Sequence, residues 1–119
     1  MNSSHPIITK GTHIILDLKE IENNEILKYE KDIREILDII SIEFKLNVVG
    51  RIIHQFEPFG VTGVYVLSES HLSIHTFVEE KKIAMDLYTC KDFDENERLI
   101  TFIKNIFNPC VCDYKIIDR

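Results

Sequence analysis

Three short runs of strand-forming residues follow one another between residues 61 and 90 with nothing longer than a turn between them. No other feature restricts the fold as much. The runs 61–68, 71–77 and 82–90 are rich in Val, Ile, Tyr and Thr, which suit a pleated, half-buried surface. Glu79-Glu80-Lys81 forms the natural hairpin loop between the last two. Connections this short leave no room for a crossover, so the strands run antiparallel. Inside this apolar stretch sits a polar knot, Ser68-Glu69-Ser70-His71, with His75 shortly after it. A hydroxyl, a carboxylate and an imidazole side by side break the rule that core strands are apolar, and such breaks mark functional or strained sites.

The flanking sequence supplies the second layer. Residues 1–10 read as a loose lead-in, and Gly11 to Leu18 as a first strand in which His13 is a strand histidine bonded to backbone. Asn23-Asn24 can cap a helix that runs to about Leu46, with Ile26, Tyr29, Ile33, Ile36, Leu37, Ile40 and Phe44 at helical spacing. Asn47 to Phe56 forms another strand, with Gly50 as a bulge, before the Pro58–Gly60 turn. Residues 92–96 cap a second helix that Pro109 stops after Phe107, and Cys110 to Ile117 closes the chain as a strand. The order β-α-β-β-β-α-β implies an α+β, two-layer sandwich: a largely antiparallel sheet with helices on one face.

A chain of 119 residues fits one domain spanning 1–119. A formal charge of -6 argues against a surface that tracks phosphates, so nucleic acid is not an expected partner. No apolar run approaches the ~18–20 residues of a membrane span. The start, Met1 to Pro6, shows no signal peptide, which makes a cytoplasmic location the default. Cys90, Cys110 and Cys112 are expected to be free thiols. Cys110 and Cys112 share a face, but without third and fourth ligands they read as small buried hydrophobes, and no metal is expected.

Three spaced elements carry a resemblance: Gly60-Val61-Thr62-Gly63-Val64, then Glu69-Ser70-His71-Leu72-Ser73-Ile74-His75-Thr76, then Asp86-Leu87-Tyr88-Thr89-Cys90. In this order they closely resemble the short prokaryotic S-adenosylmethionine decarboxylases, pyruvoyl enzymes of polyamine (spermidine) synthesis. A serine hydroxyl next to a strained peptide carbonyl can attack it and exchange amide for ester. The resemblance places that event at the Glu69–Ser70 bond. It implies a chain split into residues 1–69 and 70–119, with Ser70 converted to the pyruvoyl cofactor that forms a Schiff base with the substrate. Neither pyridoxal phosphate nor metal is then required.

The same resemblance gives roles to other positions. His75 matches the proton acceptor in processing, for which an imidazole is suited near neutral pH. Cys90 matches the proton donor in decarboxylation. Phe56 matches an aromatic that stacks on the adenine, and Glu79 a carboxylate that binds the ribose hydroxyls. Thr62 stands where the family often has serine and keeps the hydroxyl, as possible support for processing. Taken alone, Ser70 is a turn serine, His75 a strand histidine and Cys90 a buried thiol; their co-occurrence in family order reverses those readings. His71 is left without a step, and Asp86 is read as structural. The implied assembly is a homodimer of cleaved protomers with sites near the interface.

Hairpin arithmetic tests these partnerships. With 78–81 as the loop, Phe77 pairs with Lys82 and His75 with Ala84, which sets Cys90 opposite Glu69. His75, however, is five residues from Ser70, ~16 Å along a straight strand. Its role requires a bend around 69–71 or a histidine brought close by folding back. The chain departs from the family at Phe77-Val78, where Trp-Pro is usual. Two rivals follow: an arginine or ornithine decarboxylase on the same scaffold, and an uncleaved, inactive regulatory homologue.

Overall fold

The computed structural model describes residues 11–68, 70–90 and 93–119. They form a single six-stranded sheet with two helices on one face. The strands are β1 (Gly11–Ile21), β2 (Val48–Gln55), β3 (Val61–Leu67), β4 (Ser70–Phe77), β5 (Lys82–Cys90) and β6 (Pro109–Asp118), and the helices are α1 (Glu30–Glu43) and α2 (Asn96–Phe107). The order across the sheet is β2-β3-β4-β5-β1-β6, and every neighbouring pair is antiparallel. The α+β sandwich read from the sequence is therefore the observed architecture.

Alternation along the strands decides the two faces. In β1, Ile14, Leu16 and Leu18 are buried, as are Leu72 and Ile74 of β4 and Ile83, Met85 and Leu87 of β5. These side chains meet Ile33, Leu37 and Ile40 of α1 and Leu99, Ile103 and Phe107 of α2 in one apolar core. Helix α1 lies over β2 and β3, whereas α2 lies over β1 and β6. Close approach of α1 depends on Gly63, where an added Cβ would lie 3.1 Å from Leu37 Cδ1. Tyr65 carries a polar tip into this layer. Its hydroxyl donates to Asp38 Oδ1 at 2.5 Å, and burial followed by that carboxylate pushes its pKa up to about 12.

A helix boundary and the burial of one cysteine differ from the sequence reading. The first helix does not start at Asn23. A 3-10 turn covers Asn24–Leu27, Tyr29 is extended, and α1 begins at Glu30 without a side-chain cap. Gln55 takes the capping role from a distance: its Oε1 accepts from the Glu30 N–H at 2.6 Å, while its Nε2 donates to Lys28 O at 2.9 Å. That side chain ties the helix start to the 56–60 turn, where Gly60 adopts φ +111°, a conformation L side chains rarely reach. Among the cysteines, Cys112 is half-buried against the core, and burial pushes its thiol pKa up. Cys110 is exposed rather than buried, because it lies near the start of β6, an edge strand of the sheet whose side chains are mostly exposed.

Candidate active site

Strand pairing brings the motif residues into place. β3 and β4 pair through Leu67↔Ser70 and Thr62↔His75; β4 and β5 pair through His71↔Tyr88, His75↔Ala84 and Phe77↔Lys82. The hairpin register expected from the sequence is the observed one. Glu69, the residue before the expected cleavage point, lies outside the described residues.

Ser70 opens β4 and shares the parity of Leu72 and Ile74, so it faces the helix layer. Together with Thr89 and Cys90 at the far end of β5, it lines a cavity of about 330 Å³. The other walls include Phe44, Asn47 and Phe93. Helix α1 ends there because Lys45 takes a left-handed φ of 54°, and the Leu46 N–H closes the turn on Ser41 O at 2.9 Å. Phe44 is held by Phe102, edge-on at 5.5 Å, and by the Arg98 guanidinium 4.2 Å above its ring. Cys90 belongs by alternation to the opposite face from Thr89. As the last residue of its strand it nevertheless borders the same cavity, and its side chain is exposed. Sequence positions twenty apart thus meet at one sheet end.

The remaining residues singled out from the sequence gather elsewhere. His75 lies five positions, an odd offset, from Ser70 along a regular strand, so the two side chains leave opposite faces of the sheet. No bend brings them together, since β4 pairs continuously with β5 from His71 to Phe77. His75 Nδ1 lies 3.2 Å from Thr62 Oγ1. Phe56, 47% exposed, packs edge-on against His54 at 4.6 Å. Glu79 sits exposed in the β4–β5 turn. Phe56, Thr62, His75 and Glu79 therefore occupy one end of the sheet, and Ser70 with Cys90 the other.

A third group was not assigned any chemistry from the sequence. On the face away from the helices, Asp86 Oδ2 accepts from His13 Nε2 at 2.7 Å and from His71 Nε2 at 2.8 Å. Its Oδ1 accepts from the Ser73 hydroxyl. Tyr88 stacks on His71 with ring centroids 6.2 Å apart, and Arg119 donates to His13 Nδ1 at 3.0 Å. Burial alone would push the Asp86 carboxyl up. The bonds from Ser73, His71 and His13 outweigh it and hold the group below its ordinary value of 3.8. Among the described residues, His13, His71 and Asp86 are the set close enough to hold a metal ion.

The model of the S-adenosylmethionine decarboxylase family matches residues 12–119. An S-adenosylmethionine decarboxylase proenzyme from Hydrogenobaculum is 39% identical, over 93% of this chain and 82% of the relative. One from Symbiobacterium thermophilum is 48% identical, over 93% of this chain and 83% of the relative. The crystal structure of the adenosylmethionine decarboxylase from Aquifex aeolicus superposes with a TM-score of 0.85 at 33% identity, covering 93% of this chain and 91% of that one.

The depressed Asp86 pKa has a signed consequence. The unfolded chain binds the Asp86 proton more readily, so this carboxylate contributes stability above its ordinary pKa of 3.8 and loses it as the pH falls through the lower folded value. Urea unfolding of wild type and Asp86→Asn between about pH 5 and pH 3 checks this. The wild type is expected to lose stability more steeply with acid than the variant; parallel curves would remove the carboxylate from that role.

Proposed function

The chain belongs to the S-adenosylmethionine decarboxylase family, and from that membership we propose a self-processing, pyruvoyl-dependent enzyme that decarboxylates S-adenosylmethionine to the aminopropyl donor for spermidine. The observation that carries the reading within the chain is the shared cavity of Ser70 and Cys90. The family assignment favours S-adenosylmethionine over arginine or ornithine, and an enzyme over an inactive regulatory homologue.

Processing is work for this chain's own atoms. Ser70 Oγ attacks the carbonyl carbon of residue 69, and the amide nitrogen becomes a free amine as an ester forms. A base then takes the Cα proton of residue 70, and the carboxylate of residue 69 leaves. Hydrolysis of the resulting dehydroalanine releases ammonia and leaves a ketone at the head of β4. The fragments are residues 1–69 and 70–119. Ser70 suits this fate: it heads a strand and lines a cavity in which a small ketone fits.

Once made, the pyruvoyl group supplies an electron sink for a substrate amine that loses carbon dioxide. Cys90 Sγ, on the same cavity, is the proton source for the carbon left behind. Phe44 and Phe93 give the wall an apolar part.

The division of the residues between two sheet ends bears on the assembly. His75 and Thr62 leave the face opposite to the Ser70 of their own chain, ~16 Å along the strand. A second copy, placed against the face that carries them, supplies the imidazole in trans. That face exposes Ile52 (72%), which pairs with Val64 next to Thr62 on the same face, and Val66 (45%), which pairs with His71 nearer the other end of the sheet. Exposed apolar side chains of this kind are buried between subunits. Phe56 and Glu79, near the same pair, then contribute adenine and ribose contacts to the partner's cavity. The expected assembly is a homodimer with two composite sites.

Two experiments test this. Release of labelled carbon dioxide is expected from carboxyl-labelled S-adenosylmethionine and not from arginine or ornithine. Cys90→Ala is expected to retain processing while turnover drops about 10²- to 10⁴-fold; wild-type turnover in that variant would clear the thiol. For the second, Ser70→Ala and His75→Ala chains are co-expressed with different tags. Neither variant should cleave alone, whereas the His75→Ala chain should be cleaved when it shares a dimer with Ser70→Ala. Cleavage of His75→Ala by itself, or none in the mixed dimer, would contradict supply of the base in trans.

A further inference from the structure

The group around Asp86 lies on the reverse side of the sheet from the Ser70 cavity, and the processing scheme gives it no step. A transition-metal site does not fit it. Arg119 donates to His13 Nδ1, so that nitrogen carries a lone pair and the proton sits on Nε2, the atom that meets Asp86. A metal at Nε2 would have to displace that proton and accept a guanidinium cation close by. The hydrogen-bonded state instead satisfies each donor: His13, His71 and Ser73 all point at one carboxylate.

The placement of that carboxylate is informative. It joins β1 through His13, β4 through His71 and Ser73, and β5 through its own backbone, which are the three central neighbours in the sheet. His71 directly follows Ser70. Because successive strand side chains leave opposite faces, His71 is held from behind while residue 70 faces the cavity. Before cleavage, residue 70 is also held covalently, by the tight β3–β4 connection that follows Leu67. Cleavage after residue 69 removes that tie and makes residue 70 a chain end, the kind of position that frays unless it is fastened. The first side chain available to fasten it is His71.

We propose that Asp86, acting through His71, is the positioning residue for the new chain end created by processing. It keeps the ketone-bearing residue in register beside Thr89 and Cys90 after the hairpin is cut. The inference rests on the self-cleavage reading. Its physical content is a coupling: the clamp matters more in the cleaved protein than in the intact one, because only the cleaved protein lacks the covalent turn.

The test measures that coupling. Asp86→Asn and His71→Ala are each made in the cleaving background and in the uncleavable Ser70→Ala background, and thermal unfolding is followed in all four. A clearly larger loss of melting temperature in the cleaved form is expected; equal losses in the two backgrounds would make the cluster an ordinary structural contact and overturn the proposal. In the cleaved variants kcat should fall about 10- to 100-fold with KM little changed, as expected for a misplaced reacting group. His71→Gln, which keeps an N–H donor for Asp86, should recover part of the loss. A raised KM with unchanged kcat, or no recovery in His71→Gln, would also overturn it. If either clamp variant fails to fold, His71→Gln and Ser73→Ala carry the same comparison. Folded clamp variants that remain uncleaved would place the cluster before processing and contradict the proposal. An uncleaved wild-type chain would instead defeat the parent reading, which separates the two failures.

Discussion

Everything functional in this molecule depends on the antiparallel pairing of β4 with β5. That ladder sets Ser70, at the start of one strand, beside Thr89 and Cys90, at the end of the other. A slip of one residue would turn Ser70 to the face away from the helices and carry His71 into the cavity. The register is fixed by burial: Leu72 and Ile74 on β4, with Ile83, Met85 and Leu87 on β5, must all reach the helix layer at once. The apolar core thus does more than stabilise the fold. It decides which side chain of the polar knot lines the cavity.

The same alternation separates the residues of the motif into three groups with three surroundings. Ser70 looks into a cavity walled by the end of α1. His71 and Ser73 bind a carboxylate on the opposite face. His75 sits farther along that face with Thr62. A single short motif therefore spreads over three surroundings, and of the residues named only Ser70 lines the cavity. Under the proposed self-processing, an imidazole on the face opposite Ser70 calls for a second copy of the chain to complete the site.

How much of this was legible in the sequence follows from the range of the interactions concerned. Local patterns gave the strands, the order of elements and the β4–β5 register, because alternation and a short loop determine them together. The start of α1 was misplaced because Asn23-Asn24 looks like a cap, while the real partner of Glu30 is Gln55, on another strand. Cys110 reads as buried from alternation, which does not show that β6 is an edge strand of the sheet. Of the Asp86 cluster, one part was within reach: a loop at 78–81 pairs Ser73 with Asp86 and places His71 diagonally on the same face. His13 was not, since only the β1–β5 pairing of residues some seventy positions apart brings it in. Composite sites are harder still, because a sequence shows that His75 is far from Ser70 along the strand but not which molecule closes the gap.

The central claim is that one peptide bond in this chain breaks itself and leaves an electrophile at its new end. Intact mass under denaturing conditions, on protein purified without protease and held long enough to mature, tests it most directly. The account predicts two fragments, residues 1–69 and a second that starts at position 70 with a ketone in place of an amine. A single species of 14.0 kDa, or a second fragment that begins with an ordinary serine, would contradict it.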